Sequence, residues 1–164
     1  MAKSIFITGA SSGLGEAIAV EFARRGYAIA IAARRGERIQ APAGRLRKEG
    51  AAAVPPVALD VTDFTSVDAA LERAAREFGR LDIVVANAGV GYSLPVGRGK
   101  FEQVRQTIDT NRTGAIATLE FALPRLRAQG GGQLVAITSV AGSRGMPFMG
   151  AYSAAKAGLH RYVQ

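Results

Sequence analysis

Apolar residues fall along this chain in short runs that alternate with longer stretches of helical spacing. Residues 3–8 centre on Ile5-Phe6-Ile7, a β-branched and aromatic run that stops at Gly9 and predicts a short buried strand. Leu14, Ile18 and Phe22 then recur at helical spacing. Residues 27–33 predict a second strand. A basic helical segment follows over 36–50, and Pro42 is expected to break or delay its start. Residues 52–59 read as a third strand, where Pro55 and Pro56 remove two ladder donors and so favour a sheet edge. Asp60-Val61-Thr62-Asp63 offers an N-cap to a helix whose buried stripe is Val67, Leu71, Ala74 and Phe78 and whose end is Gly79. Residues 81–86 predict a fourth strand. From Phe101 a long helical pattern runs through Val104, Ile108, Ala115 and Leu119, with Pro124 expected to bend or end it. Residues 133–138 give a fifth strand, a glycine-rich loop covers 140–150, and a further helix is expected to begin near Tyr152.

The alternation reads βαβαβαβαβα, without a repeat, a low-complexity tract or a linker. It argues an α/β fold in which a doubly wound parallel sheet carries helices on both faces. In a sheet of order 3-2-1-4-5 the third strand is an edge, which agrees with its prolines. With 164 residues, 48% of them hydrophobic, the chain suits one domain with a real core, spanning 1–164.

Composition narrows the chemistry. No run approaches the roughly 20 apolar residues that span a bilayer, and the opening apolar patch is too short for a signal peptide, so a soluble, cytoplasmic protein without membrane partners is expected. There is no cysteine and one histidine, His160, which excludes a disulfide framework and a thiolate or multi-histidine zinc site. A metal centre is not expected. The net charge of +8 raises nucleic acid as a partner, but the arginines are spread and no aromatic residues interleave with them, so no nucleic acid is expected. The basic surface fits electrostatic steering of an anionic small ligand instead.

Three places carry candidate chemistry. Gly9-Ala10-Ser11-Ser12-Gly13-Leu14-Gly15 lies between a strand and a helix, where glycines let backbone N–H groups approach a pyrophosphate at the positive end of the helix dipole. A plain strand-to-helix turn is the alternative, and the spacing differs from G-x-G-x-x-G. The second strand ends in Arg34-Arg35, not in the acid that would hold a ribose 2′-hydroxyl, which favours a 2′-phosphate and hence NADP over NAD. A solvated pair at a strand end is the bland reading. Tyr152 and Lys156 stand at i and i+4, so on one helix they share a face, and a cation beside a phenol favours the phenolate. Ser139 could add a hydroxyl. An apolar anchor beside a solvated lysine would produce the same spacing, just as Asn111 within a helix commonly makes a packing hydrogen bond.

Taken together, these residues resemble the short-chain dehydrogenase/reductases over essentially the whole chain. Thr8-Gly9-Ala10-Ser11-Ser12-Gly13-Leu14-Gly15 is similar to that family's cofactor turn, Asn87-Ala88-Gly89 to its fourth-strand motif, and Asn111, Ser139, Tyr152 and Lys156 to its catalytic tetrad. The resemblance implies a Rossmann-like dinucleotide-binding domain and an NADP(H)-dependent oxidoreductase interconverting an alcohol and a carbonyl. It implies that Tyr152 exchanges a proton with the substrate oxygen and that Lys156 lowers the tyrosine pKa and binds the nicotinamide ribose. Ser139 would hold the carbonyl oxygen, and Asn111 would anchor a water leading from Lys156 to solvent. Gly9, Ser11, Ser12, Gly13, Leu14 and Gly15 would line the pyrophosphate and adenosine side, Asp60 and Val61 the adenine, and Asn87, Ala88 and Gly89 the adenosine ribose. Arg34, with Arg35 or Ser12, would meet the 2′-phosphate. Family members commonly pair subunits, so a homodimer or homotetramer is implied. Gln164 stands eight residues after Lys156, and the family's later strands and substrate-covering segment are expected beyond it, leaving the domain incomplete at its C-terminal end. The alternative is a truncated chain that binds dinucleotide or a protein partner without turnover.

Overall fold

The computed structural model describes residues 2–34, 37–98 and 100–164. Five parallel strands, β1 (Ser4–Thr8), β2 (Ala28–Ala33), β3 (Pro56–Ala58), β4 (Ile83–Ala86) and β5 (Gln133–Ala136), form one sheet in the order β3-β2-β1-β4-β5. This is the doubly wound, Rossmann-like arrangement. Phe6 at its centre lies opposite Ala30 on one side and Val84 on the other.

Successive side chains of a strand face opposite ways, so β1 feeds two cores. Ile5 and Ile7 join Ile29 and Ile31 under α1 (Gly13–Arg24) and α2 (Glu37–Lys48), through Ala19, Ala23, Ile39 and Leu46. Phe6 joins Ala30 and Val84 beneath α3 (Phe64–Phe78) and α5 (Ala115–Ala128), through Val67, Leu71, Ala122 and Leu126. The expected ends of α3 are both present. Asp63 accepts from the Ser66 N–H at 3.2 Å, and Gly79 closes the helix at φ 77°.

The structure departs from the sequence reading in several places. α2 starts at Glu37 and runs through Pro42 without a delay, and α5 continues past Pro124 to Ala128. A proline inside a helix costs about 3 kcal/mol, but each of these is flanked by buried apolar positions, Ile39, Ala43 and Leu46 in α2 and Ala122 and Leu126 in α5. Packing against the sheet offsets the lost hydrogen bond. β3 shrinks to three residues, preceded by a lone bridge between Ala28 and Ala53, as expected of a proline-bearing edge. Between α4 (Phe101–Ile108) and α5 the chain makes a π-helical turn, Asp109–Gly114. The loop after β5 contains a short helix, α6 (Val140–Ser143), before α7 (Gly150–Tyr162). No helix among the described residues is long and apolar enough to cross a membrane.

Candidate active site

The strand order reverses beside β1, and sheets of this kind open a crevice at the C-terminal ends of the strands where that happens. A cavity of about 470 Å³ lies there. Gly9, Ser11, Ser12, Leu14 and Gly15 form one wall, Arg34 closes one end, Asn87, Ala88 and Gly89 line the middle, and Tyr152 and Lys156 stand at the other end. The cofactor turn and the tyrosine–lysine pair, more than 130 residues apart in sequence, therefore share one space.

The turn is tight for reasons visible in its atoms. Gly9 sits at φ 68°, in the left-handed region that glycine enters without strain. A Cβ on Gly15 would come within 2.5 Å of Asn87 Nδ2 and 2.6 Å of the Gly9 carbonyl. α1 begins at Gly13, and Ser12, its N-cap residue, makes no side-chain capping bond, so the first-turn N–H groups are left for a ligand. Leu14 is 57% exposed and faces the cavity, while Gly15, Ala19, Val20 and Ala23 are the buried positions of the helix. The apolar spacing of Leu14, Ile18 and Phe22 thus marks a neighbouring face, not the most buried one.

Thr8 ties this turn to β4. Its hydroxyl accepts from the N–H groups of Asn87 and Ala88, both at 3.0 Å, and donates to the Val85 carbonyl at 3.3 Å. Asn87 returns the link by donating Nδ2 to the carbonyls of Thr8 (2.9 Å) and Gly9 (3.2 Å). Thr8 heads the glycine motif in sequence, yet nothing local signals that its partners lie in another strand. We expect Gly15→Ala to displace Asn87, to lower stability by about 1–3 kcal/mol as overpacking does, and to weaken dinucleotide binding. Thermal unfolding together with NADPH fluorescence titration checks both.

Lys156 is buried, with 4% exposure, and its Nζ donates to the Ile137 carbonyl at 2.6 Å. Nζ lies 5.9 Å from the centroid of the Tyr152 ring, so the helical pair does meet on one face. Burial holds the Lys156 ammonium below its ordinary pKa. Ser139 caps α6, and its Oγ accepts from the Ala141 N–H at 3.2 Å, which leaves the hydroxyl proton to be donated elsewhere. α6 packs on α7 at Gly142, against the Lys156 backbone. Ser139 is nevertheless not among the residues that line the cavity.

Asn111 is fully buried in the π-helical turn. Its Oδ1 accepts from the Val90 N–H at 2.7 Å and its Nδ2 donates to the Val90 carbonyl at 2.6 Å. Both amide atoms are thus taken up by Val90, and Val90 itself lines the cavity. Val61 lines it as well. Asp60 lies on a neighbouring cavity that shares Arg34 and Thr110, and its carboxylate accepts from the N–H and hydroxyl of Thr62. Gly13 does not line the cavity, and Arg35 lies outside the described residues. Sequence reasoning missed Thr110 and Ile137 as wall residues. Thr110 sits beside Asn111, and Ile137 extends β5 by one residue, but neither has a chemical group that announces a site.

The sequence model of the family described as short chain dehydrogenase matches residues 3–164. The chain belongs to that family. An uncharacterized oxidoreductase of Myxococcus xanthus is 46% identical over 168 residues, an alignment covering 99% of this chain and 64% of that protein. An alcohol dehydrogenase from Thermococcus sibiricus, solved with 5-hydroxy-NADP, superposes with a TM-score of 0.92 at 36% identity, covering 99% of this chain and 69% of that one. An NAD+-bound xylitol dehydrogenase superposes with a TM-score of 0.93 at 28% identity, over 98% and 62% of the two chains. This short-chain dehydrogenase chain therefore spans less than two thirds of the length of the Myxococcus protein.

Proposed function

We infer that the protein to which this chain belongs is an NADP(H)-dependent oxidoreductase interconverting an alcohol and a carbonyl compound. One observation carries the reading: a single cavity has a glycine cradle and Arg34 at one end and Tyr152 with Lys156 at the other. The cradle fits a dinucleotide, because Gly9 and Gly15 line the cavity without side chains, packed too tightly on Asn87 and Ala88 to carry any, and the α1 N-terminus lacks a side-chain cap. When bound, the nicotinamide cofactor supplies or accepts the hydride.

The chain's own groups have the following parts in this reading. Gly9, Ser11, Ser12, Gly13, Leu14 and Gly15 hold the pyrophosphate and adenosine side, and Asn87, Ala88 and Gly89 hold the ribose. Asp60 and Val61 flank the adenine. Tyr152 gives its phenolic proton to the substrate oxygen in reduction and takes it back in oxidation. Lys156 holds positive charge close to that phenol and offers N–H donors to the nicotinamide ribose. Ser139 donates its free hydroxyl proton to the substrate oxygen. Asn111 is a positioning residue in the tetrad, since it acts through Val90.

The preference for NADP(H) rests on Arg34, an exposed cation at the end of β2 that reaches the cavity. The Thermococcus relative was solved with an NADP derivative and the xylitol dehydrogenase with NAD+, so both cofactors occur on this fold. A charge-assisted hydrogen bond is worth about 1.5–3 kcal/mol. Arg34→Asp is accordingly expected to weaken NADPH binding by about 10- to 100-fold and to shift preference towards NADH. Fluorescence titration with both cofactors measures this, and unchanged NADPH affinity removes Arg34 from the reading.

A further inference from the structure

Two loops face each other across the Tyr152 end of the cavity. One follows β4, the other joins α6 to α7, and the Leu94 N–H donates to the Phe148 carbonyl at 2.7 Å across the gap. Phe148 is the only non-glycine among the described residues at positive φ, 60°. A bulky residue reaches that region only at a cost of about 1–2 kcal/mol, and the hydrogen bond from Leu94 supports the second loop in that conformation. The second loop also carries two exposed apolar side chains, Phe148 at 60% and Met146 at 48% exposure.

Gly91 belongs to the first loop, is exposed and lines the cavity. A Cβ built on it would lie 3.6 Å from Cδ2 and 3.9 Å from Cε2 of Tyr152, and 3.9 Å from Cε of Met149. These are ordinary contact distances, and Gly91 is not among the glycines at positive φ. Neither the backbone nor close packing calls for glycine here. What the missing side chain leaves is a place for a group in van der Waals contact with the edge of the Tyr152 ring and the Met149 methyl.

The geometry points to Gly91 as a specificity-determining position: the space beside Tyr152 takes a bulky hydrocarbon substituent of the alcohol or carbonyl substrate. This rests on the reading of Tyr152 as the proton donor. The ring edge and the Met149 thioether that border this place are apolar, so the group they accept is a hydrocarbon and not a sugar or a phosphate. A side chain at position 91 would lie along the ring of Tyr152 and occupy the place of that substituent, while a substrate without one would still reach the phenol.

The test uses the full-length protein with NADPH and two probes, propanal and benzylacetone. Gly91→Val is expected to lower kcat/KM for benzylacetone by about 10-fold or more and for propanal far less, which is the scale at which a pocket discriminates by size. Equal losses, or no loss with benzylacetone, overturn the proposal. None of these 164 residues is a cysteine, so Gly91→Cys adds a single thiol to this part of the protein, and its alkylation is followed by mass spectrometry on the peptide that carries it. Its alkylation by iodoacetamide is expected to slow in the presence of benzylacetone with NADPH and not with propanal, and indifference to benzylacetone overturns the proposal without any need for turnover. Tyr152→Phe measured with the same probes separates the two readings. If it keeps activity while Gly91→Val remains size-selective, the proton-donor assignment fails and the size-limiting position stands.

Discussion

Tyr152→Phe is expected to lower kcat by about 10²- to 10⁴-fold, the usual contribution of a positioned general acid, while NADPH binding persists. The substitution removes one oxygen and keeps the ring. The aromatic face that Lys156 approaches is therefore preserved, as is the ring edge beside Gly91. A simultaneous loss of NADPH affinity would mean that the phenol belongs to the cofactor site and not to proton transfer. Pre-steady-state NADPH oxidation, followed beside a fluorescence titration, distinguishes these outcomes.

Lys156→Met should also reduce turnover by at least about 10²-fold, and it carries a second signature that a purely structural lysine on the surface would not. Burial depresses the Lys156 pKa in the folded protein below its ordinary value of 10.5. Between the lowered folded value and 10.5 the unfolded chain holds a proton that the folded chain has released, so folding stability rises with pH across that window. Below the window both states are protonated, and the cost of burying the ammonium is present in full. The methionine variant lacks this titration. The stability of the parent protein relative to Lys156→Met should therefore improve as pH rises from neutrality towards 10.5, read by urea unfolding at each pH. A difference that does not change with pH would mean that Lys156 is not desolvated. Loss of the bond to the Ile137 carbonyl contributes a constant offset to the comparison and leaves its slope unchanged.

Much of this architecture was legible because local chemistry and global topology agree. Pro55 and Pro56 pointed to an edge, and β3 is one. Asp63 and Gly79 bounded α3 as cap residues do. Tyr152 and Lys156 share a face because α7 has already begun at Gly150. Pro42 of α2 misled, and Pro124 does not end α5, since a missing hydrogen bond is visible in sequence while the burial that offsets it is not. The π-helical turn at Asp109–Gly114 was hidden for a related reason. One widened turn leaves the apolar positions on either side close to helical spacing, and the bonds from Asn111 that accompany it go to a residue 21 positions away. Gly91 was passed over because it is a glycine without a turn to explain it. Its meaning lies in the Tyr152 ring edge and the Met149 methyl, which only the folded chain brings alongside.

The threonine that begins the glycine motif has a wider consequence. Its one hydroxyl engages three backbone groups from Val85 to Ala88, and the Asn87 amide binds back across the same gap. Two segments separated by almost 80 residues thereby form a single stiff body before any ligand arrives. A cradle of this kind forfeits little conformational entropy on association, so contacts made with a ligand are reflected more fully in affinity than they would be on a loop that must first be ordered.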